Sequence, residues 1–258
     1  MLRRVRPLWL REKLYFHSDA RNRWPLGVES INLEMAPVTL RHFFKSDLMH
    51  RQIAWLGFYE LPLSRRIKEL AMDGGLMVDV GANIGYFSCI WAGLRTDNRV
   101  YAFEPSPRVF RMLYSNIRAA GLDSRVRAFA SALGKERGKV QFDLGPSDQS
   151  GWGGITKEGG EGTISVDSSR LDEILPDGLI IDTLKIDTEG ADTEVIFGAE
   201  RLLRERRVRR IFFEVNGPRM RLLGLQPTDV MNFLSKCDYK VTPFHGNADF
   251  GEYMAEPA

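Results

Sequence analysis

From Met72 onward, short apolar runs alternate with amphipathic stretches. The runs are Leu76–Val80, Arg99–Phe103, 126–130, 180–186 and 210–215. Between them lie helical patterns such as "PRVFRMLYSNIRAAG", which stops on Gly121 as helices often do. Strands alternating with helices predict an α/β fold, a doubly wound and mostly parallel sheet with helices on both faces. Before this region the pattern differs. Residues 28–35 ("VESINLEM") alternate weakly, and helical periodicity follows in "SDLMHRQIAWLGFYE" and "PLSRRIKELAM". The chain therefore divides into an N-terminal extension, 1–71, and a core, 72–258. An insert at 139–167 interrupts the core with two strand-like runs ("KVQFDL", "TISVD") around a glycine-rich loop.

The first strand of the core runs into "VDVGANIGYFS", Val78 to Ser88. In an open parallel sheet, ligands bind beyond the carboxyl ends of the strands, near the point where strand order reverses. Gly81 and Gly85 remove side chains where backbone is expected to approach a ligand closely. The dinucleotide fingerprint G-x-G-x-x-G fails twice, because Asn83 and Tyr86 occupy its other glycine places. A phosphate loop fails too, since no Gly-Lys-Ser/Thr follows. Glu104 ends the second strand in "AFEPSP", where a carboxylate can accept both hydroxyls of a ribose. A site that wants a ribose but has no phosphate cradle fits S-adenosylmethionine. Asp79 suits the ammonium of its amino-acid tail, and N–H groups of the turn suit the carboxylate.

A second constellation lies in "LKIDTEGADTEVIFGAE". A central parallel strand should be apolar throughout. This one carries Lys185 and Asp187, two apart and so on one face. Burying either unpaired is costly, so a structural ion pair competes with a functional reading. Glu189 reads as helix-start chemistry. "FFEVNG" adds Glu214 and Asn216 at the end of the next strand, which brings Glu214 beside Asp187. Two adjacent carboxyls either raise one pKa toward neutrality or attract Mg²⁺ or Ca²⁺. A base without metal is the expectation, as no further ligand is evident. His245 is a second candidate base, and Trp152 a candidate for stacking on a sugar. Tyr59 and Glu60 are candidates to cap the cofactor.

Bulk composition narrows the partners. The chain has 258 residues, 43% hydrophobic and 27% charged, with a net charge of +2. That balance calls for no nucleic acid, and the motifs that methylate exocyclic amines or base C5 atoms are missing. Two cysteines, with no signal-peptide pattern and no long apolar run, fit a cytoplasmic protein. Residues 1–23 hold seven basic against two acidic residues, interleaved with apolar side chains. Such an arm either binds an anionic membrane surface or packs on its own domain or a second subunit.

Together, "VDVGANIGYFS", "AFEPSP", "LKIDTEGADTEVIFGAE" and "FFEVN" resemble the FkbM-type S-adenosylmethionine-dependent methyltransferases, from about Gly57 to about Phe244. Asp192 stands where a glutamate is more usual. The resemblance implies a class I methyltransferase fold and methyl transfer to a hydroxyl of a sugar, glycolipid or natural product. It implies cofactor contacts at Asp79, Gly81, Asn83, Gly85 and Glu104, with Ser131 beside the adenine and Asp187 near the transferring methyl. The acceptor is then a small molecule or glycan. The rivals are an oxidoreductase linked to NAD or a nucleotide sugar, and a non-catalytic binding module on the same fold.

Overall fold

A computed structural model describes residues 2–246 and 249–258, and the side chains of 245 and 246 lie outside the description. Its centre is a seven-stranded sheet. In chain order the strands are β1 (Leu76–Val80), β2 (Arg99–Phe103), β3 (Val126–Phe129), β4 (Thr183–Ile186), β5 (Ile211–Asn216), β6 (Tyr239–Gly246) and β7 (Phe250–Pro257). They lie side by side in the order 3-2-1-4-5-7-6. Strands β1 to β5 are parallel, and β7 enters antiparallel between β5 and β6. The chain reverses its direction of winding between β1 and β4. The ends of these two strands therefore open a crevice.

The five expected core strands are all present, to within three residues at each end. The C-terminal β6–β7 hairpin was not expected. The insert forms part of a second, four-stranded sheet of Ala132–Leu133, Gly138–Asp143, Gly154–Thr156 and Thr163–Ser169. Its two expected runs pair antiparallel, and Gly154–Thr156 adds a third strand too short to read from its pattern.

The extension is built into the core on one face of the sheet. Tyr15, Ile31, Leu40, Ile53 and Phe58 share a buried cluster with Met77, Tyr86 and Trp91. The basic arm turns inward as well. Arg3 donates to the carbonyls of Asn32, Ile53 and Ala54. Arg6 pairs with Glu34. Arg11 is fully buried, pairing with Glu34 at 2.9 Å and donating to the Leu56 carbonyl. Packing on its own domain thus accounts for three of the seven basic residues, while Arg4, Lys13, Arg21 and Arg23 remain exposed. Among the described residues no helix is long and apolar enough to cross a membrane.

A buried guanidinium is tolerable only while its partners hold it, and removing it strands them in turn. Arg11→Ala is therefore expected to cost about 2–4 kcal/mol. Thermal unfolding should show a midpoint lower by roughly 5–12 °C. An unchanged midpoint would mean that the arm is not part of the cooperative fold.

Candidate active site

The ends of β1, β2, β4 and β5 open into a cavity of about 940 Å³. This is large for a small-ligand site and leaves room for a cofactor and an acceptor together. Of the residues expected at a site, Gly81, Asn83, Glu104, Ser131, Lys185, Asp187 and Glu214 line it. Asp79 and Gly85 do not. His245 lies opposite Glu252 in the β6–β7 ladder, but its side chain is outside the described residues.

The turn after β1 is built differently from the expectation. Gly81 has φ +73°, and a methyl group there would run into the carbonyl oxygen of Asp187. Gly85 has φ +86° and packs against Leu113, at 2.7 Å from where its Cβ would stand. The first glycine thus lets two strand ends approach, and the second lets helix Tyr86–Leu94 pack. The N–H groups of Gly81 and Ala82 donate to the Phe103 carbonyl, and that of Gly85 donates to Ala82. Those of Asn83 and Ile84 donate to Glu104 and to the Asn83 side chain. Every N–H from Gly81 to Gly85 is used within the fold.

Asp79 is completely buried behind this turn. Ser88 donates to its Oδ2 at 2.6 Å, and the Lys185 ammonium stands 3.5 Å from Oδ1. Asp79 is thus held between Ser88 and Lys185 and does not line the cavity. Lys185 lies beside Asp79 in the β1–β4 register and takes its charge. Lys185 also reaches Asp187 Oδ2 at 3.3 Å and the Gly81 carbonyl at 3.5 Å. Burial works against the ammonium, but Asp187, Asp79 and Glu60 outweigh it and hold its pKa above the usual lysine value.

Glu104 sits at the other end of the cavity. It accepts from the N–H groups of Asn83 at 3.0 Å and Ser106 at 2.9 Å, one on each oxygen. Each oxygen keeps a lone pair for a ribose hydroxyl. Burial pushes this carboxyl up to about 7, only partly offset by the two N–H groups. A buried double acceptor with unused capacity, beside Ser131, is what an adenosine requires. The residues present therefore fit S-adenosylmethionine at the nucleoside end.

The floor is a group of carboxyls: Glu60, Asp187, Glu189, Glu214 and Glu252. Burial first, then the negative charge of Asp187, push Glu214 up to about 9, Glu60 to about 8 and Glu189 to about 7. Asp187 itself is 38% exposed and faces the cavity. Asp192 is buried behind them and ties the site together. Its Oδ1 accepts from the N–H of Thr188 at 2.9 Å and from the Thr188 hydroxyl, and its Oδ2 accepts from the N–H of Glu214 at 2.8 Å. Among the described residues no group of three His, Cys, Asp or Glu side chains is arranged to hold a metal.

Among the described residues, five non-glycine residues adopt left-handed backbone, and three of them, Glu60 (φ 41°), Asn83 (φ 50°) and Glu189 (φ 55°), line this one cavity. Such strain gathers at functional sites. Glu189 does not begin a helix as expected, since the helix starts at Asp192 and Glu189 occupies the turn before it. Glu60 holds the N-cap place of helix Leu61–Asp73, where a shorter polar residue is usual. Glu252, and His50 within hydrogen-bonding reach of Ser150, went unread.

A doubly wound sheet of this strand order, with an adenosine-type acceptor at β2 and a carboxyl floor at β4 and β5, defines a class I methyltransferase. The sequence profile described as "Methyltransferase FkbM domain" matches residues 79–241, more than half the chain. The chain belongs to the FkbM methyltransferase family. It is 29% identical over 196 residues to the hexuronic acid methyltransferase AglP of Haloferax volcanii, covering 74% of this chain and 75% of that one. It is 28% identical to the 2-O-methyltransferase NoeI of Sinorhizobium fredii over 51% of this chain and 60% of that one. The solved FkbM methyltransferase of Methylobacillus flagellatus shares the fold, with a TM-score of 0.51 at 21% identity, over 71% of this chain and 44% of that one.

Two outcomes test the site. Glu104→Gln removes the charge and one acceptor oxygen, and should weaken S-adenosylmethionine binding at least tenfold, about 1.4 kcal/mol, by calorimetry. The second concerns pH. Asp192 is raised to about 6, Glu104 and Glu189 to about 7, Glu60 to about 8 and Glu214 to about 9. Between the unfolded carboxyl range and these values the folded chain holds protons that the unfolded chain has released. Stability therefore falls as pH rises through this window. The melting temperature of the ligand-free protein should drop from about pH 5 to about pH 9. Glu214→Gln should flatten the upper part of that slope.

Proposed function

We propose that the protein methylates a hydroxyl group on a sugar or related natural product, with Asp187 taking the hydroxyl proton. One observation carries this reading. Asp187 faces the cavity as the carboxylate whose negative charge helps to raise Glu60, Glu189 and Glu214. Glu60 and Glu214, raised to about 8 and about 9, keep their protons at neutral pH, which leaves Asp187 as the cavity-facing carboxyl for the role of proton acceptor. When bound, S-adenosylmethionine supplies an electrophilic methyl group on sulfur. The chain supplies alignment and a place for the proton. A sugar hydroxyl needs such a base, because its own pKa lies far above neutrality.

Lys185 fixes the Asp187 carboxylate from behind, at 3.3 Å, and leaves its exposed side to the acceptor. Glu104 and Ser131 hold the nucleoside end, so the acceptor enters over Asp187 and Glu214. The protonated carboxyls of Glu214 and Glu60 donate hydrogen bonds to further oxygens of the acceptor. By their names, one relative acts on a hexuronic acid and another is a 2-O-methyltransferase. The carboxyl floor favours a neutral hydroxyl over an anionic carboxylate, because the cations beside it, Lys185 and Arg219, are already paired. Lys185 is shared between Asp79 and Asp187, and Arg219 stands 3.6 Å from Glu189.

Asp187→Asn keeps the shape and removes the charge. On a true acceptor it should lower kcat at least 10²-fold, the usual scale for a lost general base, with cofactor affinity changed far less. Activity that survives EDTA supports the base, and loss restored by Mg²⁺ supports a metal-assisted route. Turnover of the Asn variant at the wild-type rate would overturn both and leave His245 as the residue to test.

A further inference from the structure

Above the carboxyl floor the cavity mouth changes character. Phe16 (49% exposed), Leu48 (47%), Trp152 (54%) and Phe250 (54%) all line it. They come from four separate parts of the chain: the arm, helix Leu48–Leu56, the insert and β7. Scattered exposed apolar side chains are ordinary, but several converging on one opening mark a contact surface.

The mouth is also held in place. Leu48 N–H donates to the Gln149 side chain at 3.2 Å, and Ser150 N–H donates to Asp47. Ser150 Oγ lies 3.2 Å from His50 Nε2. Arg108 donates to the carbonyls of Ser147 and Pro146. Arg219 donates to the Trp152 carbonyl at 3.2 Å. These bonds fasten the loop carrying Trp152 to the helix carrying Leu48 and to the core. An apolar rim kept in fixed relation to a polar floor is built for a ligand with the same polarity from end to end.

We infer that the acceptor is amphiphilic: its hydroxyl-bearing head reaches Asp187, and an apolar aglycone, alkyl or aryl, rests on Phe16, Leu48, Trp152 and Phe250. The inference rests on the hydroxyl-transfer reading above and adds the second half of the substrate. A free polar sugar would leave the rim facing water. A second copy of the chain seated there would plug the opening through which the acceptor must enter. An aglycone joined to the acceptor covers the rim and enters with it.

The test uses binding rather than turnover, so that it fails separately from the assignment of Asp187. The full chain is saturated with S-adenosylhomocysteine and titrated in a calorimeter with octyl β-D-glucopyranoside, below its micelle concentration, and with methyl β-D-glucopyranoside. The octyl glycoside is expected to bind at least tenfold more tightly. The double variant Phe16→Ala/Trp152→Ala should lose most of that advantage while S-adenosylhomocysteine still binds within about twofold, which shows that the fold survives. Equal affinity for the two glycosides, no binding of the octyl glycoside, or an octyl advantage untouched in the double variant overturns the inference. An intact octyl preference together with full turnover by Asp187→Asn would overturn the base and keep the aglycone site.

Discussion

A lysine ammonium buried in the middle of a parallel sheet sets the terms for the rest of the site. Lys185 sits on β4 directly beside Asp79 on β1, so the sheet register alone brings the two charges together. An isolated ammonium at that depth would cost several kcal/mol. Asp79 cancels the charge from one side and Asp187 from the other, and neither suffices alone, since both stand at 3.3–3.5 Å rather than in tight contact. The Gly81 carbonyl and the Phe87 ring, 5.1 Å from the ammonium, complete its surroundings. The lysine thereby joins the turn after β1 to the end of β4. The glycine at 81 is a consequence, because only a residue without a side chain lets the turn lie against Asp187.

The same economy governs the carboxyls. Five of them face one cavity, and full ionisation of all five in so confined a space would be prohibitive. The conflict is relieved by protonation, since burial and the surrounding negative charge raise Glu60 to about 8 and Glu214 to about 9. Asp192 makes the arrangement rigid by gripping the Thr188 backbone with one oxygen and the Glu214 backbone with the other. A shift of either strand end would break one of these bonds in a buried place, where an unsatisfied carboxylate is most costly. An aspartate where the family more often has a glutamate still reaches both strands, so the tie depends on the carboxylate being local to the turn.

What was legible in the sequence follows from how each signal arises. Central strands such as Leu76–Val80 are buried on both faces and read as apolar runs. Glu104 and Asp187 were legible because a charge at the end of such a run has few structural explanations. The sequence gives the place of Asp79 on β1 but not its neighbour across the sheet, Lys185. It likewise does not say that Gly85 lies under Leu113. The β6–β7 hairpin was hidden because β6 is an edge strand, and Pro243 within it argues against a strand by the usual rule. Glu60 is 127 residues from Asp187 and reaches it only through a strained backbone, which no local pattern announces.

The clasp between the extension and the insert shows how far geometry can mislead if hydrogens are ignored. Asp47, His50 and Ser150 stand in the order of a hydrolytic triad, with Ser150 Oγ 3.2 Å from His50 Nε2 and Asp47 3.8 Å from Nδ1. Yet Phe44 N–H donates to Nδ1 at 3.0 Å, so that nitrogen is the acceptor and the proton of the neutral ring is on Nε2. Burial depresses the pKa of this ring, the Asp47 charge only partly opposing it, which keeps the neutral form. His50 therefore donates to Ser150 and cannot take its proton. Asp47 is likewise occupied, accepting from the N–H groups of His50 and Ser150. The three residues form a fastener, not a nucleophile. What they fasten is the loop that carries Trp152, so the shape of the cavity mouth depends on residues of the extension.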